Sequence, residues 1–330
     1  MPAGKALRSL VRAASLRRRI ARVGLALAGA AALAVANARL AKLSEARHPP
    51  RGRFVIVDGV RLHYLDEGEG PPIVLIHGVA LSGADFVASG LVGALSRTHR
   101  VIVFDRPGYG YSSRPRRRIW TAKRQASLLA RALAALAVDR PLVVGHSHGA
   151  LVAAYMGLLP RTRPAGLVLI SGYYRPTLRP DVTITAASAL PVAGDALRFT
   201  LSPWLARLMT PLILRLVFAP APVSPSFSKR YPISQALRPS QIHATAADLA
   251  WLGWDAFRFA PEAQQLTLPV LLVAGREDRL LRTESHSAWL HRQLPAANIL
   301  QLSGAGHMVH HTKAAEVAAR ILRFAAGSNT

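Results

Sequence analysis

A short apolar run leads directly into a G-x-S-x-G turn at residues 142–149, LVVGHSHG. The first three residues are typical of a buried strand, and apolar residues at helical spacing follow from Ala150. A sharp turn between a strand and a helix lifts a serine hydroxyl clear of the sheet, and it needs glycine where backbones pass closely. The following helix also directs free N–H groups and its positive dipole end at an oxyanion beside Ser147. The context therefore predicts that Ser147 is a nucleophile.

Strand patterns alternate with helical patterns on both sides of this turn. The strands are expected at residues 54–57, 60–65, 73–76, 101–104, 142–144, 167–170, 269–273 and 298–302. Asp58-Gly59 joins the first two and is a strong hairpin signal. Residues 73–76 are continuously apolar, as in a strand that is covered on both faces. The alternation, which includes a helix expected near residues 85–96, predicts an α/β fold with a mostly parallel central sheet and helices on both faces.

Residues 173–262 interrupt the alternation with prolines and apolar helical segments. We interpret them as a helical cap inserted into one core domain, which comprises residues 54–172 and 263–330. Residues 204–218 are apolar around most of a helix circumference, so that one face would pack on the core and another would cover a pocket over Ser147. The competing explanation is that these apolar residues only attach the cap.

Residues 1–53 form a basic N-terminal segment with an apolar stretch and a linker. They hold twelve Lys or Arg residues against one acid, Glu45, and residues 23–38 are uncharged. The stretch has 16 residues, fewer than the roughly 20 of a typical spanning helix. Ala36-Asn37-Ala38 resembles a signal-peptidase site, so a cleaved signal, an uncleaved anchor and a surface helix all stay open. We expect membrane association or export through residues 1–40, with a cytoplasmic location as the alternative.

The remaining composition excludes several classes of site and partner. The chain has no cysteine, which rules out disulfides, thiolate metal sites and a cysteine nucleophile. Its net charge is +25, but no nucleic-acid-binding module accompanies this charge, so no nucleic-acid partner is expected. The glycine-rich turns match neither a phosphate-binding loop nor a dinucleotide fingerprint, and no cofactor is predicted. The oligomeric state is not indicated by the sequence.

The order of motifs resembles the α/β-hydrolase superfamily over residues 54–325. The motifs are His77-Gly78, residues 105–112 (DRPGYGYS), residues 145–149 (GHSHG), residues 275–278 (GRED) and residues 304–307 (GAGH). The resemblance is specific because five motifs agree in order and in the elements that surround them. It implies the α/β-hydrolase fold with an inserted cap.

Carried over motif by motif, the resemblance implies a catalytic triad of Ser147, Asp278 and His307. His307 would take the serine proton, and Asp278 would hold the imidazole tautomer and stabilise its charged form. The family pattern favours Asp278 over the neighbouring Glu277. Asp105 also ends a predicted strand, but its motif is more typical of a turn that shapes the site.

The same resemblance places the backbone N–H groups of Val79 and His148 in an oxyanion hole. His310 and His311 follow the triad histidine closely in the sequence. No carboxylate joins them in a local metal-ligand pattern, so we predict no metal and expect surface histidines or histidines that support the site.

The predicted reaction is acyl transfer to water through a serine ester, on a small-molecule carboxylic ester with an apolar acyl or alcohol group. Haloalkane dehalogenases and epoxide hydrolases of the superfamily carry aspartate as the nucleophile, so Ser147 argues against those activities. Other serine-dependent chemistry stays open: carbon–carbon bond hydrolysis, acyl transfer to an alcohol and haloperoxidase-like reactions. A non-catalytic ligand-binding protein with this fold is the alternative from another class.

Overall fold

Eight strands form a single sheet at the centre of the computed structural model, which describes residues 3–160, 162–177, 187–190 and 192–328. The strands are β1 (Arg53–Val57), β2 (Val60–Glu67), β3 (Pro72–Ile76), β4 (Arg100–Phe104), β5 (Leu142–His146), β6 (Gly166–Ile170), β7 (Val270–Gly275) and β8 (Asn298–Leu302). Their order across the sheet is β1-β2-β4-β3-β5-β6-β7-β8. Only the β1–β2 and β2–β4 pairs are antiparallel. The predicted mostly parallel sheet is therefore confirmed.

Helices cover both faces of this sheet. The described α-helices of the chain, including those outside the two faces, are α1 (Ala3–Arg47), α2 (Ala84–Ser89), α3 (Leu91–Leu95), α4 (Ala122–Ala135), α5 (His148–Leu158), α6 (Ala193–Phe199), α7 (Ser202–Phe218), α8 (Pro225–Arg230), α9 (Ile233–Ala236), α10 (Pro239–Phe259), α11 (Ser287–Gln293), α12 (Val309–Thr312) and α13 (Ala314–Ser328). Alternate residues of β3 show the two cores: Val74 and Ile76 pack with α4 and α5, whereas Ile73 and Leu75 pack with α3 and α13.

Two local differences from the expected elements have simple causes. The helix expected after β3 is divided into α2 and α3 at Gly90, whose φ of +85° ends the first helix. The last turn of α1 includes residues 44–47, which we expected to be linker. Ser44 Oγ lies 2.8 Å from Ser234 Oγ, and Glu45 pairs with Arg238 at 2.7 Å, so this turn is fixed to α9 and the start of α10.

Every described helix between β6 and β7 belongs to the region that we interpret as a cap. Residues 178–186 and 191 of the predicted insertion lie outside the described residues. The longest of these helices, α10, is joined to the sheet by a fully buried ion pair: Asp248 Oδ2 lies 2.6 Å from Arg106 Nη1. Arg114 pairs with the other oxygen of Asp248 at 2.9 Å, and the Tyr109 hydroxyl donates to this carboxylate. Burial alone would raise the pKa of Asp248, but the two arginines hold it well below its usual value.

We expect Asp248→Ala to lower the free energy of unfolding by about 3–5 kcal/mol, because it leaves two guanidinium groups in a buried site without their carboxylate. The matched control is Arg131→Ala in α4, which breaks an exposed pair with Asp58 of the β1–β2 turn. It is expected to cost about 1 kcal/mol or less. Urea unfolding of both full-length variants measures the difference. Equal losses would show that the Arg106–Asp248 pair does not hold α10 on the sheet.

Candidate active site

Ser147 lies at the junction of β5 and α5 in a strained backbone conformation. Its φ is 55° and its ψ is −121°, a region that residues with a side chain rarely adopt. A Cβ on Gly145 would lie 2.3 Å from the carbonyl oxygen of Gly149, and a Cβ on Gly149 would lie 2.2 Å from that of Ile76. The two glycines are therefore required for the close packing of α5 against β3 and β5, which presents Ser147 at the carboxyl end of the sheet.

Three residues predicted from separate motifs meet at this edge of the sheet. His307 Nε2 lies 3.0 Å from Ser147 Oγ, and His307 Nδ1 lies 2.9 Å from Asp278 Oδ2. The other oxygen of Asp278 accepts the backbone N–H groups of Leu280 and Leu281 at 2.9 and 2.8 Å. This carboxylate is thus fixed, and it favours the tautomer that carries the proton on His307 Nδ1. The lone pair on Nε2 then faces the serine hydroxyl.

The two other carboxylates considered for the triad have different contacts. Glu277 Oε2 accepts the backbone N–H of Ala305 at 3.2 Å and so supports the loop that carries His307. Asp105 lies 2.7 Å from His63 and accepts the backbone N–H of Gly83 at 2.8 Å. Of these three acids, the structure brings Asp278 to the histidine.

The backbone N–H groups of Val79 and His148 lie on the two segments that border Ser147. His148 is the first residue of α5, and a Cβ built on Gly78 would lie 3.0 Å from Ser147 Cβ. The described residues provide no hydrogen-bond acceptor for either N–H group. Neither amide N–H is therefore bound to another group in the described part of the chain.

The carbonyl oxygen of Gly78 fixes the direction of the Val79 N–H. It accepts hydrogen bonds from Arg106 Nη2 at 3.0 Å and from His77 Nδ1 at 2.8 Å. Burial and the nearby Arg106 lower the pKa of His77 to about 3, so its ring is neutral, and its Nε2 accepts the backbone N–H of Arg106. Because the C=O and N–H of a trans peptide point in opposite directions, these two donors turn the N–H of Val79 away from Arg106.

A second buried cluster lies on the other side of His307. His310 Nε2 and His311 Nε2 each lie 2.8 Å from a different oxygen of Asp85. Burial would raise the pKa of Asp85, but the two histidines hold it well below its usual value; burial lowers the pKa of His310. An ionised carboxylate thus accepts from two imidazole rings, and the His146 ring lies 4.2 Å from that of His310. Of the two expectations for these histidines, the surface position was wrong because both rings are buried, and their pairing with Asp85, more than 200 residues earlier in the chain, fits the expected supporting role.

Among the described residues, Asp85, His310 and His311 are also the one group whose ligand atoms lie close enough to hold a metal ion, within 4.8 Å of one another. In the structure Nε2 of each histidine lies 2.8 Å from an oxygen of Asp85, while the buried Nδ1 of each has no hydrogen-bond partner among the described residues. His146 Nε2 lies 3.2 Å from the carbonyl oxygen of His307, which connects this cluster to the triad loop. The arrangement is that of a support for His307.

The apolar surroundings of the triad come from α10 and from the end of α7, where Phe218 packs with Met308 and the Val217 carbonyl accepts the N–H of Met308. One buried cluster contains Tyr173, Leu249 and Leu252, with Val79 and Leu280 packed against it. Val79 directly follows Gly78, and Leu280 lies two residues after Asp278. Most apolar side chains of residues 204–218 are exposed, whereas Val217 and Phe218 pack against Met308, so the covering of a pocket over Ser147 by this helix stays a prediction.

Sequence reasoning did not identify Arg106, Asp248 or Asp85 as parts of the site. Arg106 was interpreted only as part of a turn motif. Asp248 and Asp255 lie seven residues apart in an otherwise apolar helix, and this spacing places both on one helix face. This spacing was the signal in the sequence for buried acids on one face of α10. In the structure Asp255 is indeed buried and accepts the backbone N–H of Ala122 at 2.8 Å.

Comparisons with known proteins agree with this fold. The family model described as alpha/beta hydrolase fold matches residues 71–314. The 30 kDa subunit of magnesium chelatase from Rhodobacter capsulatus is 27% identical over 78% of this chain and 88% of its own length. Haloalkane dehalogenase 2 from Mycobacterium tuberculosis is 27% identical over 83% of this chain and 95% of its own length.

Among solved structures, a membrane phospholipase A described as a bacterial virulence factor has a TM-score of 0.65 and 22% identity. The match covers 98% of this chain and 99% of that one, and at this identity it supports the fold alone. The sheet order, the strand-to-helix turn at Ser147 and the family match over most of the chain lead to one conclusion: the chain belongs to the alpha/beta hydrolase family.

Proposed function

We propose that this protein is a serine hydrolase that cleaves a carboxylic ester with an apolar acyl or alcohol group. The observation that carries the proposal is the continuous hydrogen-bond chain from Ser147 Oγ to His307 (3.0 Å) and from His307 to Asp278 (2.9 Å). In this proposal the triad is Ser147, His307 and Asp278, and the N–H groups of Val79 and His148 form the oxyanion hole. Residues 54–172 and 263–330 are the core, and residues 173–262 are the cap.

The proposed reaction has two halves, formation of an acyl-serine and its hydrolysis, and the same groups act in both. Ser147 Oγ attacks the ester carbonyl while its proton passes to His307 Nε2, and the two N–H groups bind the oxygen that becomes negative. The C–O bond to the alcohol then breaks, and His307 gives its proton to the leaving oxygen. Water attacks the resulting acyl-serine and gives its proton to His307; the acyl C–O bond to Ser147 then breaks, His307 returns the proton to Ser147 Oγ, and the carboxylic acid leaves. Asp278 stays ionised and stabilises the imidazolium in both halves.

The family includes relatives with other chemistry, and two features favour ester cleavage. Haloalkane dehalogenation uses an aspartate where this chain has Ser147. The apolar cluster of Tyr173, Leu249 and Leu252 beside the triad suits an apolar group and offers few polar anchors for a charged one.

We expect Ser147→Ala to lower kcat/KM for ester hydrolysis by roughly four orders of magnitude or more and to abolish labelling by a fluorophosphonate, with the fold retained. Asp278→Asn is expected to impair hydrolysis strongly, because the asparagine no longer favours the required tautomer of His307. Circular dichroism checks the fold.

Glu277→Gln is the matched control for the acid, since it also replaces a carboxylate by an amide, one residue away. Its oxygen can still accept the N–H of Ala305, so activity is expected to stay near that of the wild type. Activity lost in Glu277→Gln and retained in Asp278→Asn would show that the acid is assigned to the wrong residue.

The apolar cluster predicts a dependence on acyl length. Each methylene buried beside it contributes up to about 0.8 kcal/mol, so kcat/KM is expected to rise by as much as about fourfold per carbon until the pocket is full. A series of soluble p-nitrophenyl esters from acetate upward measures the slope. Leu252→Ala is expected to flatten the series, whereas Leu212→Ala, on the exposed face of α7, leaves it unchanged. A flat or falling profile in the wild type contradicts an apolar substrate.

The proposal includes membrane association through residues 1–40, by α1 as an anchor or an export signal. In the described part of the chain, residues 15–47 form a helix long and apolar enough to cross a membrane, and it is almost wholly exposed. Arg17, Arg18, Arg19 and Arg22 precede its apolar stretch, and this distribution favours a cytoplasmic N-terminus.

We expect the full-length protein to stay with membranes after washing at high salt. Leu25→Arg combined with Leu27→Arg is expected to release it, because each arginine within the apolar stretch opposes insertion, by up to about 2.5–3.5 kcal/mol where it lies at the centre of a membrane helix. Leu43→Arg is the control, since this residue is also an exposed leucine of α1 but lies beyond the apolar stretch. Wild-type protein found only in the soluble cytoplasmic fraction, with an intact N-terminus, contradicts the proposal.

A further inference from the structure

The contact between α1 and the rest of the protein begins inside its apolar stretch. Residues 15–29 are exposed on all sides of the helix. From Ala30 onwards the less exposed positions recur every three or four residues and end at Ser44, so one face of α1 packs on the body. With a rise of 1.5 Å per residue, Ala30, where this contact begins, lies about 12 Å along the helix axis from Ala38, the last residue of the uncharged stretch.

The part of the protein that contacts α1 at Asn37, one residue before the end of the uncharged stretch, is the corner between α6 and α7. The side-chain amide of Asn37 is 1% exposed and donates to the carbonyl oxygens of Phe199 (2.9 Å) and Thr200 (2.8 Å). Arg207 Nη1 in turn approaches Asn37 Oδ1 at 3.5 Å. The one strongly polar side chain of residues 23–38 therefore has its partners in this corner. If the apolar stretch of α1 lies in a bilayer, the corner lies at the same bilayer.

Helix α7, which starts at this corner, exposes an apolar surface. Its exposed apolar side chains are Trp204, Leu205, Leu208, Met209, Leu212, Ile213 and Leu216. Leu208 is 76% exposed and Leu212 is 60% exposed. The helix contains no acidic residue, and its two charges are Arg207 and Arg215. A soluble protein rarely exposes so large a contiguous apolar surface without a partner.

We propose that the exposed face of α7 lies in the boundary between headgroups and acyl chains of the bilayer that α1 enters, and that the active site takes its ester substrate from this bilayer. The occupant of the face is lipid, because the Asn37 contacts hold the start of α7 at the end of the apolar stretch, where the surface of the bilayer lies when the stretch is inserted. Arg207 and Arg215 suit this position, since long basic side chains reach anionic headgroups from such a depth. Helix α7 also packs against α10, whose Leu249 and Leu252 belong to the cluster beside the triad. The second part of the proposal rests on the proposed function.

The first experiment measures lipid contact without using the enzyme activity. Two full-length variants each retain one of the five tryptophans, with phenylalanine at the other four positions: one keeps Trp204, and the control keeps Trp120, which is 5% exposed and packs in the core. Both are reconstituted in phosphatidylcholine–phosphatidylglycerol vesicles with and without brominated acyl chains, and circular dichroism verifies the fold. We expect brominated lipid to remove most of the Trp204 fluorescence and to leave that of Trp120 almost unchanged.

Unquenched Trp204 overturns the proposal, including the case in which its emission shifts because a second copy of the chain covers α7. Quenching of Trp120 to the same extent also overturns it, because lipid would then reach the core in an unfolded protein.

The second experiment tests the route of the substrate. Leu208→Asp combined with Leu212→Asp places two charges on the exposed face of α7, and Ile56→Asp is the control on an exposed position of β1. We expect the double variant to lower hydrolysis of p-nitrophenyl palmitate embedded in these vesicles by roughly tenfold or more. Hydrolysis of soluble p-nitrophenyl butyrate is expected to stay at the wild-type level, and Ile56→Asp to change neither.

A double variant with unchanged hydrolysis of the embedded ester, or with equal losses on both esters, overturns the membrane route. If the wild type hydrolyses neither ester but is labelled by a fluorophosphonate, the ester route fails while the triad stands. If it is neither active nor labelled, the proposed function fails, and the quenching of Trp204 then decides the membrane position of α7 by itself.

Discussion

The buried guanidinium of Arg106 connects the three parts of the protein on which the site depends. Its Nε donates to the carbonyl oxygen of His77 at the end of β3, and its Nη1 approaches His148 Nδ1 at the start of α5 at 3.0 Å. The same Nη1 pairs with Asp248 of α10 at 2.6 Å, and no part of the Arg106 side chain reaches solvent. A guanidinium stays charged in a protein, so this position requires a buried carboxylate. The charge balance therefore fixes α10 over the segments that carry Val79 and His148.

The triad geometry follows from a constraint of another kind, the direction of the parallel strands. Ser147, Asp278 and His307 each follow the carboxyl end of a strand, namely β5, β7 and β8. Parallel neighbours bring such ends to one edge of the sheet, although more than 100 residues separate the serine from the other two. Local glycines then set the fine positions: a Cβ on Gly275 would lie 2.3 Å from the carbonyl oxygen of Ala305.

The difference between a long-range charge pair and the direction of the strands explains which parts of the structure the sequence predicted and which it did not. Residues that are neighbours in the chain specify the strands, the turn at Ser147 and the loops after β7 and β8. Local sequence patterns therefore predicted most of the fold, and this fold brings the expected triad residues together. Asp85 and Asp248 act through partners far away in sequence, and a single acid in an apolar helix does not show which buried cation or imidazole it will face. The extension of α1 to Arg47 likewise depends on contacts with residues near position 235.

The helices α7 and α10 show the limit of pattern reading most directly, because both are long, apolar and interrupted by few charges. Leu249 and Leu252 of α10 are almost fully buried, whereas Leu208 and Leu212 of α7 are mostly exposed. Burial in the folded protein stabilises the first pair by removing apolar area from water. The second pair is exposed in the folded and unfolded states alike, so it contributes little to folding. Folding stability thus accounts for the apolar face of α10 and does not account for that of α7.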